Sequence, residues 1–272
     1  MGVIAVAAAA VVLAAPQQRA AAYLLAHRNA DGAFAEPGAP PTRSLSAWAA
    51  LGLGAAGISA GAKTVAYIQP LARDATASTD VELGVLGITA ASGRADQFVP
   101  RLRGFIRPTG SIGPAVNSTI FGVLALRQAH ATVAPRTVRY LLSRQSRSGG
   151  WSWSGHGAPD SNDTAAAVEA LDACGIGGRP LARGLRYLRG LENRDGGFAL
   201  ARGEASDAQS TAWAIQAFVA AGRRPPRAAF HYLLRLQRRD GSFRYSERYA
   251  TTPVFVTAQV LPALVRVPFP LG

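Results

Sequence analysis

Asp160 and Asp163 lie three residues apart in the run Asp160-Ser161-Asn162-Asp163-Thr164-Ala165, just after the loop-like stretch Trp151-Ser152-Trp153-Ser154-Gly155-His156-Gly157-Ala158-Pro159. A carboxyl can donate a proton when neighbouring carboxylates and dry walls keep it protonated. His156, beside Asp160, is a candidate general base. The competing role is structural: an Asp at the head of a helix accepts the free backbone N–H groups of the first turn. That role gains weight because the pattern recurs. Asp207-Ala208-Gln209-Ser210-Thr211-Ala212 repeats it, and Asn117 and Gln209 hold the place of Asn162. Other chemistries lack their residues. There is no Gly-x-Ser-x-Gly elbow, no Gly-rich phosphate loop before a Lys, and no paired-carboxylate signature placed as in glycoside hydrolases.

The elements that must position these residues are themselves repeated. Five turns read alike: Asp31-Gly32-Ala33-Phe34, Thr109-Gly110-Ser111-Ile112, Ser148-Gly149-Gly150-Trp151, Asp195-Gly196-Gly197-Phe198 and Asp240-Gly241-Ser242-Phe243. Their glycines are spaced 78, 39, 47 and 45 residues apart, so a worn copy is expected near residue 71. There, between Tyr67 and Ser78, Pro70 replaces the turn, and a gap would open an entry slot. Six units of about 45 residues signal a repeat architecture. Each unit starts with a helix-like run carrying arginines, such as Arg183, Arg186 and Arg189. The turn glycine then takes positive φ at little cost. A second helix rich in small residues follows, as in Thr211 to Phe218. Being apolar all round, it is expected inside. No stretch alternates with period two, so strands are not expected. The fold class is all-α: two concentric helical layers in one closed or solenoidal body, since each hairpin buries its apolar face on a neighbour.

Composition bounds the partners. Of 272 residues, 49% are hydrophobic, enough for a sizeable core. The net charge of +13 comes from 28 Arg and a single Lys, Lys63, spread periodically over the outer helices. That describes a solvated outer face, with peripheral attraction to anionic surfaces as its functional alternative. No motif supports nucleic-acid binding. The single cysteine, Cys174, excludes an internal disulfide. Val3 to Ala15 is a continuous apolar run ahead of Pro16, of signal-peptide length and too short for a bilayer, although no Lys or Arg lies in residues 1–15. Residues 1–15 are therefore read as a signal peptide or apolar leader, and 16–272 as a single domain. The expected location is secreted or cell-envelope, and cytoplasmic if the leader is only a packing extension.

Several motifs together resemble the repeats of the terpenoid cyclase and protein prenyltransferase β-subunit superfamily. They are Gln145-x-x-x-Gly149-Gly150-Trp151, Gln237-x-x-Asp240-Gly241-Ser242-Phe243 and the runs beginning at Asp160 and Asp207. The likeness spans roughly residues 17 to 266. It implies an α/α toroid of about six helical hairpins, with inner and outer helix rings. In class II cyclases of this superfamily a similar Asp-x-Asp-Asp-Thr-Ala run carries the acid that protonates an alkene or epoxide, at its middle Asp. That position here is Asn162, which leaves Asp160 and Asp163 as the catalytic candidates, with His156 weaker. The prenyltransferase zinc set, an Asp, a Cys two residues on and a distant His, is not matched. The helix-start pairs are Asp160/Asn162 and Asp207/Gln209, while Asp172-x-Cys174 lies at the wrong end of its helix and His231 on an outer one. No metal and no cofactor are expected.

Toroids of this kind have a central funnel lined by inner-helix starts. Its expected lining is Trp48, Glu82, Asn117, Phe121, Asn162, Asp207, Gln209, Trp213 and Thr252, with Asp160 and Asp163. Aromatics with a few convergent polar groups suit a large, partly apolar ligand, isoprenoid-like or corrinoid-like. The leading expectation is an exported toroid that binds such a ligand without conventional cyclase or prenyltransferase catalysis. The alternatives are a divergent cyclase using Asp160 or Asp163, and an interaction scaffold with a basic outer face.

Overall fold

A computed structural model describes residues 13–271. Most of the predicted leader, Val3–Ala15, lies outside them. The chain runs outer helix then inner helix six times: α1 (Ala15–Ala26) and α2 (Arg43–Ala55), α3 (Ala62–Asp74) and α4 (Ser78–Ala90), α5 (Val99–Arg103) and α6 (Val116–Gln128), α7 (Pro135–Ser143) and α8 (Ser161–Ala173), α9 (Arg179–Arg189) and α10 (Ala208–Ala220), α11 (Arg227–Leu236) and α12 (Pro253–Val265). Every inner helix is 13 residues long. Each packs on the next, and α12 packs on α2, so the inner ring is closed. The fold is the α/α toroid, and the inner ring runs on through the worn second unit, since α4 packs on both α2 and α6. Pro70 sits inside α3, and the chain passes from Asp74 to α4 without a glycine turn. One two-residue antiparallel pair, β1 (Phe198–Ala199) with β2 (Ser206–Asp207), departs from the strand-free expectation.

The split into layers follows from side-chain chemistry. On α9, Leu181, Leu185 and Leu188 are buried and the arginines face outward. On α10, ten of the 13 residues are buried, and small side chains let neighbours close in. Among the described residues no helix is long and apolar enough to cross a membrane.

The turns are joints between units. Gly149 has φ +101°, and an added Cβ would strike the backbone of Arg183 on the next outer helix. Gly241 (φ +94°) meets Arg19 on α1 in the same way, which carries the joint around the ring. Gln145 Nε2 donates to Gly149 O and Pro180 O, both at 2.8 Å; Gln237 Nε2 donates to Gly241 O and Pro16 O. The turn aromatics Phe34, Trp151, Phe198 and Phe243 are fully buried. Burial of each contributes roughly 2–3 kcal/mol. Their backbone N–H groups donate to hydroxyls in the first turn of the inner helix: Trp151 to Thr164, Phe198 to Thr211 and Phe243 to Thr257, all at 2.9 Å. The threonines of the repeated runs thus serve the frame.

The two ends of the ring differ. At the inner-helix starts, Glu36 takes the free N–H groups of Val254 and Phe255 at 2.9 and 2.8 Å, fastening α12 to the first unit. At the opposite end, residues 267–271 cross the helix C-termini. Phe269 N–H donates to Glu169 Oε2 at 2.7 Å and Leu271 N–H to Gln128 Oε1 at 3.0 Å. That end is corked, so access is from the end bearing the helix starts.

Candidate functional site

The first turn of α8 separates the two carboxyls by role. Asp160 is the N-cap: its Oδ1 accepts the Asp163 backbone N–H at 2.8 Å. Asp163 lies one turn in, buried, and caps nothing. Its Oδ1 accepts a 2.6 Å hydrogen bond from Asn117 Nδ2 on the neighbouring α6. Burial raises its pKa most, the Asp160 carboxylate raises it further, and the Asn117 amide opposes; the result is about 8. Burial and the neighbouring carboxylate thus favour the protonated form of Asp163. Asn117 is likewise no cap, because the N-cap of α6 is Ala115.

Asp163 opens on a cavity of about 390 Å³ walled by Trp48, Phe121, Trp213 and Phe255, with Asn117, Asn162, Gln209 and Gln259 as its polar lining. The aromatics form one mutually perpendicular cluster. Ring centroids are 6.1 Å apart for Trp48–Phe121, 6.3 Å for Trp48–Trp213, 6.0 Å for Trp48–Phe255 and 5.9 Å for Phe121–Trp213. Trp213 Nε1 donates to Gln259 Oε1 at 3.2 Å, which fixes the indole. Phe269 from the cork stacks below Trp213 at 5.7 Å. Beside this cavity lies a chamber of about 140 Å³ sharing Trp48, Asn117 and Phe121 and adding Thr79, Glu82 and Leu83. Electron-rich faces around a buried acid suit an apolar ligand and can stabilise positive charge formed on it.

The structure gathers Trp48, Asn117, Phe121, Asp160, Asn162, Asp163, Gln209 and Trp213 at the larger cavity and puts Glu82 in the smaller. Three predicted residues are elsewhere. Asp207 is the N-cap of α10, accepting Ser210 N–H and Ser210 Oγ, both at 2.7 Å, so its carboxyl is consumed by the helix. Thr252 is exposed at a left-handed position (φ 44°) before α12 and lines neither of these chambers. His156 is exposed on the loop, and its imidazole makes no hydrogen bond to Asp160. Phe255, Gln259, Trp153 and Leu200 were not foreseen. A positional signal existed for part of the wall: Trp48, Phe121 and Trp213 each stand sixth in their inner helix. Phe255 stands third in α12 and escapes that register.

The fold is shared with solved terpene cyclases. A variant of the type II terpene cyclase MstE from Scytonema, in complex with its substrate geranylgeranyl dihydroxybenzoate, superposes with a TM-score of 0.70 at 17% identity, over 93% of this chain and 96% of that one. A protein from Actinoplanes gives 0.71 at 19%, over 93% and 98%. The ent-copalyl diphosphate synthase from Streptomyces platensis gives 0.60 at 21%, over 85% of this chain and 52% of that one. No curated protein sequence matches. The family model for the squalene-hopene cyclase C-terminal domain matches residues 108–271, and the chain belongs to that family.

Proposed function

We propose that this toroid binds an isoprenoid-like molecule in its aromatic cavity and that Asp163 protonates it, starting a cyclisation or isomerisation. The observation that carries this reading is a buried carboxyl, paired with a second one and hydrogen-bonded to Asn117, presented to an aromatic wall, with burial raising its pKa. The proton passes from Asp163 to an alkene carbon or an epoxide oxygen of the ligand. The resulting carboxylate keeps the Asn117 hydrogen bond, and the carbocation is faced by Trp48, Phe121, Trp213 and Phe255. Loss of a proton from the ligand to solvent leaves a product isomeric with the substrate, and uptake of a proton from solvent returns Asp163 to its acid form. Two small adjoining chambers that share Trp48, Asn117 and Phe121 suit a linear isoprenoid better than a corrinoid-sized macrocycle. The MstE relative, whose substrate carries a geranylgeranyl chain, supports the ligand class.

A second reading, ligand binding without chemistry, is favoured by Asn162, which stands where cyclases of the resembled type carry their acid. The two separate in one experiment. Purified protein is incubated with geranylgeraniol and with its terminal epoxide, and extracts are analysed by gas chromatography–mass spectrometry. Cyclic isomers formed by the wild type and lost by about 10²-fold or more in Asp163→Asn support catalysis. Tight binding with no product in either protein supports the second reading.

A further inference from the structure

Glu82 belongs to the inner ring but to no interaction of the frame. It is 1% exposed on α4, and neither of its carboxyl oxygens has a hydrogen-bond partner. The Ser78 hydroxyl, one turn earlier, lies close enough to favour the charged form of Glu82, but no hydrogen bond of good geometry joins the two. Buried polar groups are nearly always paired, so an orphaned carboxyl at a cavity wall calls for a partner from the cavity. The other deeply buried glutamate makes the contrast. Glu169 has one oxygen, Oε2, taken by the Phe269 N–H of the cork, with Oε1 unpartnered, whereas Glu82 has neither oxygen taken and lines the small chamber with Thr79, Leu83, Trp48, Asn117 and Phe121. Desolvation, opposed by the Ser78 hydroxyl and reinforced by Asp80, pushes the pKa of Glu82 well up, which favours the acid form with one O–H donor and one carbonyl acceptor. No Arg, Lys or His lines either chamber.

We propose that Glu82 recognises an uncharged, oxygen-bearing end of the ligand, a hydroxyl or a carbonyl seated in the small chamber, while the hydrocarbon body lies along the aromatic wall towards Asp163. This rests on the isoprenoid reading above and adds the head group to it. A diphosphate would enter two chambers without a single cation to meet it, and with the Asp160 carboxylate already at the wall. A neutral oxygen instead takes the Glu82 proton as a hydrogen bond and offers its own in return if it is a hydroxyl. Asn117 belongs to both chambers and orients Asp163, so occupation of the head-group site and placement of the acid are geometrically joined.

The test is a binding titration in the Asp163→Asn background, which removes turnover, following the fluorescence of Trp48 and Trp213. The probes are geranylgeraniol, the hydrocarbon with its hydroxyl replaced by hydrogen, and geranylgeranyl diphosphate. The alcohol is expected to bind about 10-fold more tightly than the hydrocarbon, the scale of one added hydrogen bond, and more tightly than the diphosphate. Glu82→Leu should bring alcohol and hydrocarbon to within about 2-fold. Glu82→Gln, which keeps a donor and an acceptor, should retain most of the preference. Glu82→Met replaces the Leu variant if circular dichroism shows misfolding. A purely structural Glu82 would move both probes equally, so an unchanged alcohol preference in the apolar variant overturns the proposal. So does tightest binding of the diphosphate, or equal binding of alcohol and hydrocarbon without substitution. Binding of no probe overturns the isoprenoid reading and this one together. Product formation without head-group preference overturns this one alone.

Discussion

The starts of α8 and α10 carry nearly the same run and do different work. In both, the first Asp is the N-cap and the Thr hydroxyl receives the backbone N–H of the turn aromatic. They diverge at the residue three positions after the cap. Ser210 turns its hydroxyl back on Asp207 and completes a closed cap. Asp163 sets a second carboxyl beside the first, and burial with that neighbouring charge keeps it protonated. A single side chain therefore converts a structural joint into an acid, on an unchanged backbone. The repeat supplies the scaffold, and one departure from it supplies the carboxyl to which the proposed proton transfer is assigned.

The strongest way to break this contrast is to make α8 like α10. Asp163→Ser should close the cap on Asp160 and abolish product formation, a loss of about 10²-fold or more, while circular dichroism stays unchanged. Retained turnover would remove Asp163 from the mechanism. Next in size is a pH effect on stability. Folded Asp163 keeps its proton to about pH 8, whereas an unfolded Asp releases it near pH 4. Its contribution is thus fully present below the unfolded value and is lost as pH rises towards 8. Stability of the wild type relative to Asp163→Asn should fall across that window by on the order of 1 kcal/mol per pH unit, read by denaturant titration at pH 5, 6 and 7. Glu82 and Glu169, also raised by burial, add the same sign to both proteins and cancel in the difference.

Asp160→Ser should sharpen the contrast from the other side. Serine still caps, but the charge beside Asp163 is gone, so the pKa of Asp163 drops and the alkaline limb of the pH–rate profile moves to lower pH. Asp207→Ala should cost about 1–2 kcal/mol through loss of the cap and leave ligand binding as it was; weakened binding would place Asp207 back in the cavity. The smallest effect belongs to His156→Ala, which should change neither turnover nor stability beyond about 0.5 kcal/mol.

Much of the architecture was legible in the chain because it rests on local, repeated constraints. A glycine at positive φ in five of the six units, a large apolar residue two positions later and a helix of small side chains after it read as hairpins with an inner and an outer side. Asp207 shows where that legibility stopped. By pattern it matched the site residues, yet its oxygens were already used by Ser210, and spacing alone does not reveal which polar groups are satisfied. Thr252 fails for a related reason: Glu36, more than 200 residues away, already holds the N–H groups of Val254 and Phe255 that begin α12. Phe255 was missed because α12 enters the ring with its bulk at a different position from α2, α6 and α10.

The sequence by itself determined the all-α toroid, the layer each helix occupies, the turn that joins one unit to the next and the run in which the acid would be found. Only the tertiary structure distinguished the two carboxyls, Asp160 as the helix cap and Asp163 as the buried partner of Asn117, since acidity depends on neighbours from other helices. Asn117 meets Asp163 across 46 positions of chain, the aromatic wall is assembled from α2, α6, α10 and α12, and Glu82 is left unpaired by packing alone. Backbone form follows local steric rules that recur with each repeat, whereas proton affinity is set by burial and field, and those exist only once the ring has closed.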